Sequence, residues 1–193
     1  MANDRLFALV GNPNTGKTTL FNGLTGLRQK VANYPGVTVE KKEGEGRDRY
    51  GDPFRVIDLP GAYSLRANSP DEQVTHDVLV GQRVDTPRPD CVICVVDASN
   101  PERHLFLATQ VLELGLPVII VLNKIDEAAA HGIAVAAGKL EERLGVPVVP
   151  MQADERVGME QLQVAMSREE WSASKWQDID EGEGAMTRRY RKI

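Results

Sequence analysis

Apolar residues gather along this chain in short continuous runs rather than in one long stretch. The runs occupy Leu6–Val10, Phe54–Asp58, Cys91–Asp97, Val118–Asn123 and Val146–Pro150. Between them lie segments with helix-like spacing of apolar positions: Lys17–Leu24, Asp71–Val80, Arg103–Leu114, Ile133–Leu144 and Met159–Ala165. Short runs that are apolar at every position predict strands buried on both faces, and the spaced segments predict the helices that cover them. Strand and helix in alternation predict an α/β fold with a parallel sheet. One segment departs from the pattern. Thr38–Arg47 alternates and is charged, which predicts an exposed edge strand, antiparallel to Phe54–Asp58 across a turn at Tyr50–Pro53. The expectation is a mostly parallel six-stranded sheet with one antiparallel edge strand and helices on both faces. Ligands of such sheets sit at the carboxyl ends of the strands.

Composition narrows the picture only slightly. The 193 residues suffice for one well-buried domain with a remainder, and the formal net charge of −5 gives no basic surface for nucleic acid, so none is expected as a partner. No apolar run approaches the roughly 20 residues that span a bilayer, and the N-terminus lacks a signal-peptide pattern. Cys91 and Cys94 form a C-x-x-C inside a predicted strand, where residues three apart face opposite sides of the sheet. That placement disfavours a shared metal or a disulfide. His76, His104 and His131 form no cluster along the chain. After Ala165 the character changes: Trp171 and Trp176, an acidic run from Asp178 to Glu183, and a basic end, Arg188–Lys192. Residues 1–166 are therefore read as the domain and 167–193 as a tail or linker.

The chemistry lies at the ends of the predicted strands. Residues 11–18 read GNPNTGKT, a complete G-x-x-x-x-G-K-[ST] phosphate loop between a strand and a helix. Gly11 and Gly16 allow the tight turn, Lys17 offers a charge to β- and γ-phosphates, and Thr18 offers a hydroxyl to Mg²⁺. Asn12, Asn14, Thr15 and Thr19 complete the candidate cradle. Asp58-Leu59-Pro60-Gly61 closes a second strand, where Asp58 can serve Mg²⁺ through water and the Gly61 N–H can sense a γ-phosphate. Asn123-Lys124-Ile125-Asp126 ends another. The Asp126 carboxylate can accept from guanine N1–H and the exocyclic amine, which adenine lacks. Asn123 can brace the loop and contact the base, and the Lys124 stem can cover its face. Thr38, in NYPGVTVE, can complete the Mg²⁺ shell when a γ-phosphate is present, making its loop a switch.

These motifs together resemble the translation-factor-like branch of P-loop GTPases. Within it, residues 5–166 are similar to the N-terminal G domain of the FeoB family of bacterial ferrous iron transporters. The likeness runs through GNPNTGKTTLFN, NYPGVTVEKKEG, DLPGAYSL with SPDEQV, and NPERHLFLATQVLELGLPVIIVLNKID. It implies a Ras-like fold, GTP and GDP as ligands, Mg²⁺ as cofactor, and a place on the cytoplasmic face of the bacterial inner membrane. There the domain would regulate or power iron uptake by a membrane-embedded transport domain of the same polypeptide, with small accessory proteins of the transport system as partners.

The resemblance also frames the mechanism. Hydrolysis would rest on positioning and electrostatics around Lys17, Thr38, Asn14 and Gly61. The residue after the D-x-x-G glycine is Ala62, where Ras-like enzymes carry a water-orienting glutamine, so turnover should be slow. In the family a K⁺ ion can stand where others use an arginine finger. Its asparagine falls on Asn14, with carbonyls near Ala32 and Tyr34 as further ligands. The base-contacting loop, often Ser-Ala-rich, here reads Met151-Gln152-Ala153-Asp154, in which the Ala153 N–H can still meet guanine O6. The family's helical regulatory domain is expected to be missing or reduced to a stub, and the tail's tryptophans, expected to be unburied, offer a surface to a second copy. Two other functions stay open: a standalone ribosome-assembly GTPase, and a GTP switch without hydrolysis.

Overall fold

The computed structural model describes residues 5–168 together with 171 and 173. Seven strands form one sheet: β1 (Arg5–Gly11), β2 (Gln29–Asn33), β3 (Glu40–Arg47), β4 (Pro53–Asp58), β5 (Cys91–Asp97), β6 (Val118–Asn123) and β7 (Val148–Pro150). The helices are α1 (Lys17–Thr25), α2 (Pro70–Val80), α3 (Pro101–Glu113), α4 (Ile125–Ala130), α5 (Ala137–Leu144) and α6 (Met159–Met166). The sheet order is β2-β3-β4-β1-β5-β6-β7. β4, β1, β5, β6 and β7 pair in parallel, whereas β3 is antiparallel to both of its neighbours.

The continuous apolar runs are explained by this burial. Along β1, Phe7 and Leu9 face one core layer with Leu20 and Phe21 of α1 and Leu162 of α6. Leu6, Ala8 and Val10 face the other, with Val74 and Val78 of α2 and Leu107 and Val111 of α3. Each strand residue alternates sides, and both sides are apolar because helices cover both. Cys91 and Cys94 accordingly fall in opposite layers, both as free thiols. Burial pushes the Cys94 thiol up to about 12, so it stays protonated.

The doubly wound architecture matches the sequence expectation, and three local features correct it. The sheet has seven strands rather than six. The charged strand β3 is second from the edge, and the edge is β2, a polar segment exposed at every residue. β3 tolerates its inner position through glycine: a Cβ on Gly44 would meet Thr25 Cγ2 at 2.5 Å, so α1 lies directly on the strand there. The helix expected from Ile133 begins only at Ala137, and the short α4 precedes it.

Trp171 is half-buried rather than free. Its ring meets Phe7 edge-on at 5.4 Å, its Nε1–H donates to the Ala165 carbonyl at 3.0 Å, and Ala173 forms a bridge with Pro117. Trp176 and the charged runs of the tail lie outside the described residues. No helix among the described residues is long and apolar enough to cross a membrane.

Candidate functional site

The parallel strands end along one edge of the sheet, and the loops that leave them carry the three motifs. The phosphate loop connects β1 to α1. Its turn needs residues that accept a left-handed backbone, and Asn14 (φ 64°) and Gly16 (φ 90°) supply them. Gly16 is required for a second reason, because a Cβ there would collide with the Asn123 side-chain amide. Thr15 Oγ1 donates to the Asn12 carbonyl at 3.0 Å, closing the loop on itself. Asn12 is 1 % exposed, and neither its amide nitrogen nor its side-chain oxygen has a partner. Thr18 and Thr19 lie exposed on the first turn of α1.

β4 lies beside β1, which brings Asp58 to the phosphate loop. Thr18 Oγ1 donates to Asp58 Oδ2 at 3.4 Å, and Lys17 Nζ lies 3.5 Å from Oδ1, an ion-pair separation without hydrogen-bond geometry. Burial raises the Asp58 pKa despite the lowering pull of Lys17, Lys42 and Thr18. A hydroxyl, a carboxylate with an unfilled oxygen and an ammonium thus share one spot. Hard oxygen donors of this kind suit Mg²⁺, which uses one or two protein oxygens and takes the rest from phosphate and water. The absence of any cluster of three His, Cys, Asp or Glu among the described residues is compatible with that mode.

The D-x-x-G loop folds back over the phosphate loop. The Ala62 N–H donates to the Gly11 carbonyl at 3.3 Å, and a Cβ on Gly61 would meet Pro13 at 3.0 Å. Ala62 is 1 % exposed, its methyl held in the core. Sequence reasoning missed what holds this loop. Glu72 of α2 accepts from the N–H groups of Tyr63 (3.3 Å), Ser64 (3.1 Å) and Asn68 (3.1 Å). Gln110 of α3 accepts from Leu65 N–H at 2.9 Å, and Thr75 Oγ1 donates to the Pro60 carbonyl at 3.2 Å. The signal for Glu72 was present as a capping box, Ser69-Pro70-Asp71-Glu72, in which Ser69 Oγ accepts the Glu72 N–H at 3.2 Å.

At the end of β6 the buried Asn123 joins two loops. Its Nδ2 donates to the Thr15 carbonyl at 2.8 Å and its Oδ1 accepts from the Ala153 N–H at 2.9 Å. Asn123 thus ties the phosphate loop to the loop after β7. The Ala153 N–H, expected to be free for guanine O6, is here held by Asn123. Lys124 has a left-handed backbone (φ 62°), and its Nζ lies 2.9 Å from Asp97 Oδ2 at the end of β5. That hydrogen bond raises the Lys124 pKa. Burial of Asp97 alone would raise its pKa, but bonds from Ser99 and Lys124 overcome this and hold it low. Sequence reasoning missed Asp97. Asp126 is exposed on the first turn of α4.

Thr38 stands apart. It is exposed in the loop before β3 and makes no hydrogen bond to Thr18 or Asp58. The carbonyl of Tyr34 accepts the Val37 N–H at 3.2 Å, and Ala32 lies opposite Lys41 in the β2–β3 ladder. Asn14 is exposed.

Comparison with known proteins agrees with this geometry. Residues 5–166 match the family model described as Ferrous iron transport protein B. The Fe(2+) transporter FeoB of Legionella pneumophila (strain Lens) is 48% identical over 163 residues, which make up 82% of this chain and 21% of that protein. The chain thus spans about a fifth of the length of the curated relatives it matches. Among solved structures, the cytosolic domain of L. pneumophila FeoB superposes with a TM-score of 0.79 at 46% identity, covering 88% of this chain and 65% of that one. The cytosolic domain of T. maritima FeoB in its GMPPNP form gives 0.80 at 39% identity, covering 92% and 69%.

Proposed function

Since the chain belongs to the Ferrous iron transport protein B family through residues 5–166, we propose that it binds guanine nucleotide, hydrolyses GTP slowly, and so regulates or powers ferrous iron uptake by a membrane-embedded transport domain. The observation that carries this reading is the meeting of Lys17, Thr18 and Asp58 beside a loop braced by Asn123. The L. pneumophila relative is an Fe(2+) transporter and the T. maritima structure is a GMPPNP form, which support the cargo and the ligand.

The residues divide the work. Main-chain N–H groups of the phosphate loop and Lys17 hold the phosphates. Thr18, and Asp58 through a water, would hold Mg²⁺, which would offset phosphate charge when bound, and Thr38 and the Gly61 N–H would join on the γ-phosphate side. Asp126 selects guanine. The Ala153 N–H reaches O6 once Asn123 Oδ1 releases or shares it. Asn14 would hold a K⁺ ion, whose charge would offset that developing on the phosphates. Ala62 is buried and apolar, so nothing at that position orients the attacking water.

GTP turnover in KCl and in NaCl at equal ionic strength, for wild type and Asn14→Ala, tests this. Stimulation by K⁺ that disappears in the variant is the expected result. Turnover indifferent to K⁺ removes Asn14 from the mechanism. The burial of Ala62 favours a second reading, a GTP switch without hydrolysis, and a rate near zero in both salts would select it.

A further inference from the structure

The segment between α2 and β5 reaches across the sheet and grips the loop that carries Thr38. Tyr34 opens that loop, and its ring is buried at 1 % exposure in the same layer as Val39, Ile57 and Leu59. The Tyr34 N–H donates to the Val39 carbonyl at 2.9 Å, so residues 34–39 close into one compact unit. Two cations lie over the Tyr34 ring: the Arg83 guanidinium at 4.9 Å and the Lys41 ammonium at 5.8 Å.

Arg83 does more than stack. Its Nη2 donates to the Pro35 carbonyl at 3.3 Å, and its Nε pairs with Asp85 Oδ1 at 2.8 Å. The Arg83 side chain is only 14% exposed, so this pair is partly shielded from water. Lys41 Nζ donates to the Asp85 carbonyl (3.2 Å) and to Thr86 Oγ1 (3.0 Å), and Thr86 is fully buried. The grip therefore joins two pieces of chain distant in sequence, residues 34–41 and 83–86. The seat beneath it is imperfect, because the Tyr34 hydroxyl is buried without a partner. Charged donors from Arg83 and Lys41 thus add to the packing that holds the loop.

We propose that Arg83 is a positioning residue that holds the Tyr34–Thr38 loop in the arrangement where Thr38 has no bond to Thr18 or Asp58, and thereby biases the site toward the nucleoside diphosphate. The inference rests on the reading of Thr38 as the triphosphate-sensing ligand. A triphosphate that recruits Thr38 must first displace the loop, so its apparent affinity is reduced by the fraction of molecules still clamped. A diphosphate makes no demand on Thr38 and is not penalised. Arg83 suits the role because its flat guanidinium lies over the ring face while Nε and Nη2 donate to Asp85 and Pro35, a pairing of stacking and forked donation that the compact ammonium of a lysine does not reproduce.

Fluorescent GDP and GMPPNP are titrated with Mg²⁺ into wild type, Arg83→Ala, Arg83→Lys, Thr38→Ala and the Arg83→Ala/Thr38→Ala double variant. Arg83→Ala should tighten GMPPNP about fivefold while GDP moves by less than about twofold, the scale of one partly shielded cation–π contact and its hydrogen bond. Arg83→Lys should fall between, and the gain should vanish in the Thr38→Ala background. A GMPPNP-to-GDP ratio unmoved in Arg83→Ala overturns the proposal, as does the same gain without Thr38. Loss of both nucleotides in Arg83→Ala also overturns it, showing a structural residue instead. A wild type that binds neither nucleotide defeats the reading of the site itself, and is seen before any variant is compared.

Discussion

Asp58 sits 7 % exposed at the end of β4, where burial raises its carboxyl pKa against the pull of Lys17. A folded value above the unfolded one means the protonated carboxyl favours the fold. That stability is fully present below the ordinary Asp range and is lost as pH rises through the raised folded value. Near neutral pH the ionised Asp58 therefore burdens the nucleotide-free domain, and a bound cation would relieve it. Asp58→Asn should raise the Tm of the nucleotide-free domain at pH 7 while abolishing the further rise that Mg²⁺ gives in the presence of GDP. Thermal unfolding with and without Mg²⁺ checks both halves, and a variant less stable than wild type when nucleotide-free would contradict the first. Asp58 was legible in the sequence because D-x-x-G is a local pattern. The state of the Ala153 N–H was not, because Asn123, thirty positions earlier, sets it through space.

At the scale of the element, α2 organises the loop before it. Ser69 caps the helix in an extended conformation, Pro70 stands in its first turn, and Asp71 and Glu72 complement the helix dipole. The Glu72 carboxylate then binds three N–H groups between Tyr63 and Asn68, so the helix start and the D-x-x-G loop form one unit. Glu72→Ala should destabilise the domain by about 1–3 kcal/mol, the cost of leaving charge-assisted donors to water. It should also speed amide exchange selectively at Tyr63, Ser64 and Asn68. Hydrogen exchange reads this directly, and protection unchanged at those three positions would refute the arrangement. Elements were legible where packing dictated their pattern, as in β1, β5 and β6. β2 was not, because Gln29–Asn33 buries no side chain and is a strand only through its ladder with β3. The start of α5 differs for a related reason: Ile133 and Val135 pack on the core from irregular chain ahead of the helix, so their apolar character carries the helix pattern too early.

Across the whole molecule, the two ends of the sheet have different duties. The carboxyl ends of the strands carry the motifs, while the amino ends close the core. There Arg5 bonds to Asp48 at 2.6 Å and to the Met166 carbonyl at 3.1 Å, tying the first strand to the last helix. Burial of Asp48 would raise its pKa, but Arg5 and the N–H groups of Tyr50 and Asp52 outweigh that and hold it low. Trp171 extends this closure beyond α6, its ring edge-on to Phe7 and packed against the layer in which Phe7 sits. The composition of residues 167–193 predicts a polar tail, and Trp171 within it gives no local clue to a partner more than 160 positions away. Trp171→Ala removes an aromatic pair and a hydrogen bond to a carbonyl of α6, and should cost about 2–3 kcal/mol of unfolding free energy. Its contacts lie at the end of the sheet opposite the phosphate loop, so nucleotide affinity should stay within about twofold of wild type. Urea unfolding and GDP titration on the same sample separate the two effects. Weakened binding with unchanged stability would mean that the amino ends of the strands communicate with the site, and that the division of duties between the ends of the sheet does not hold.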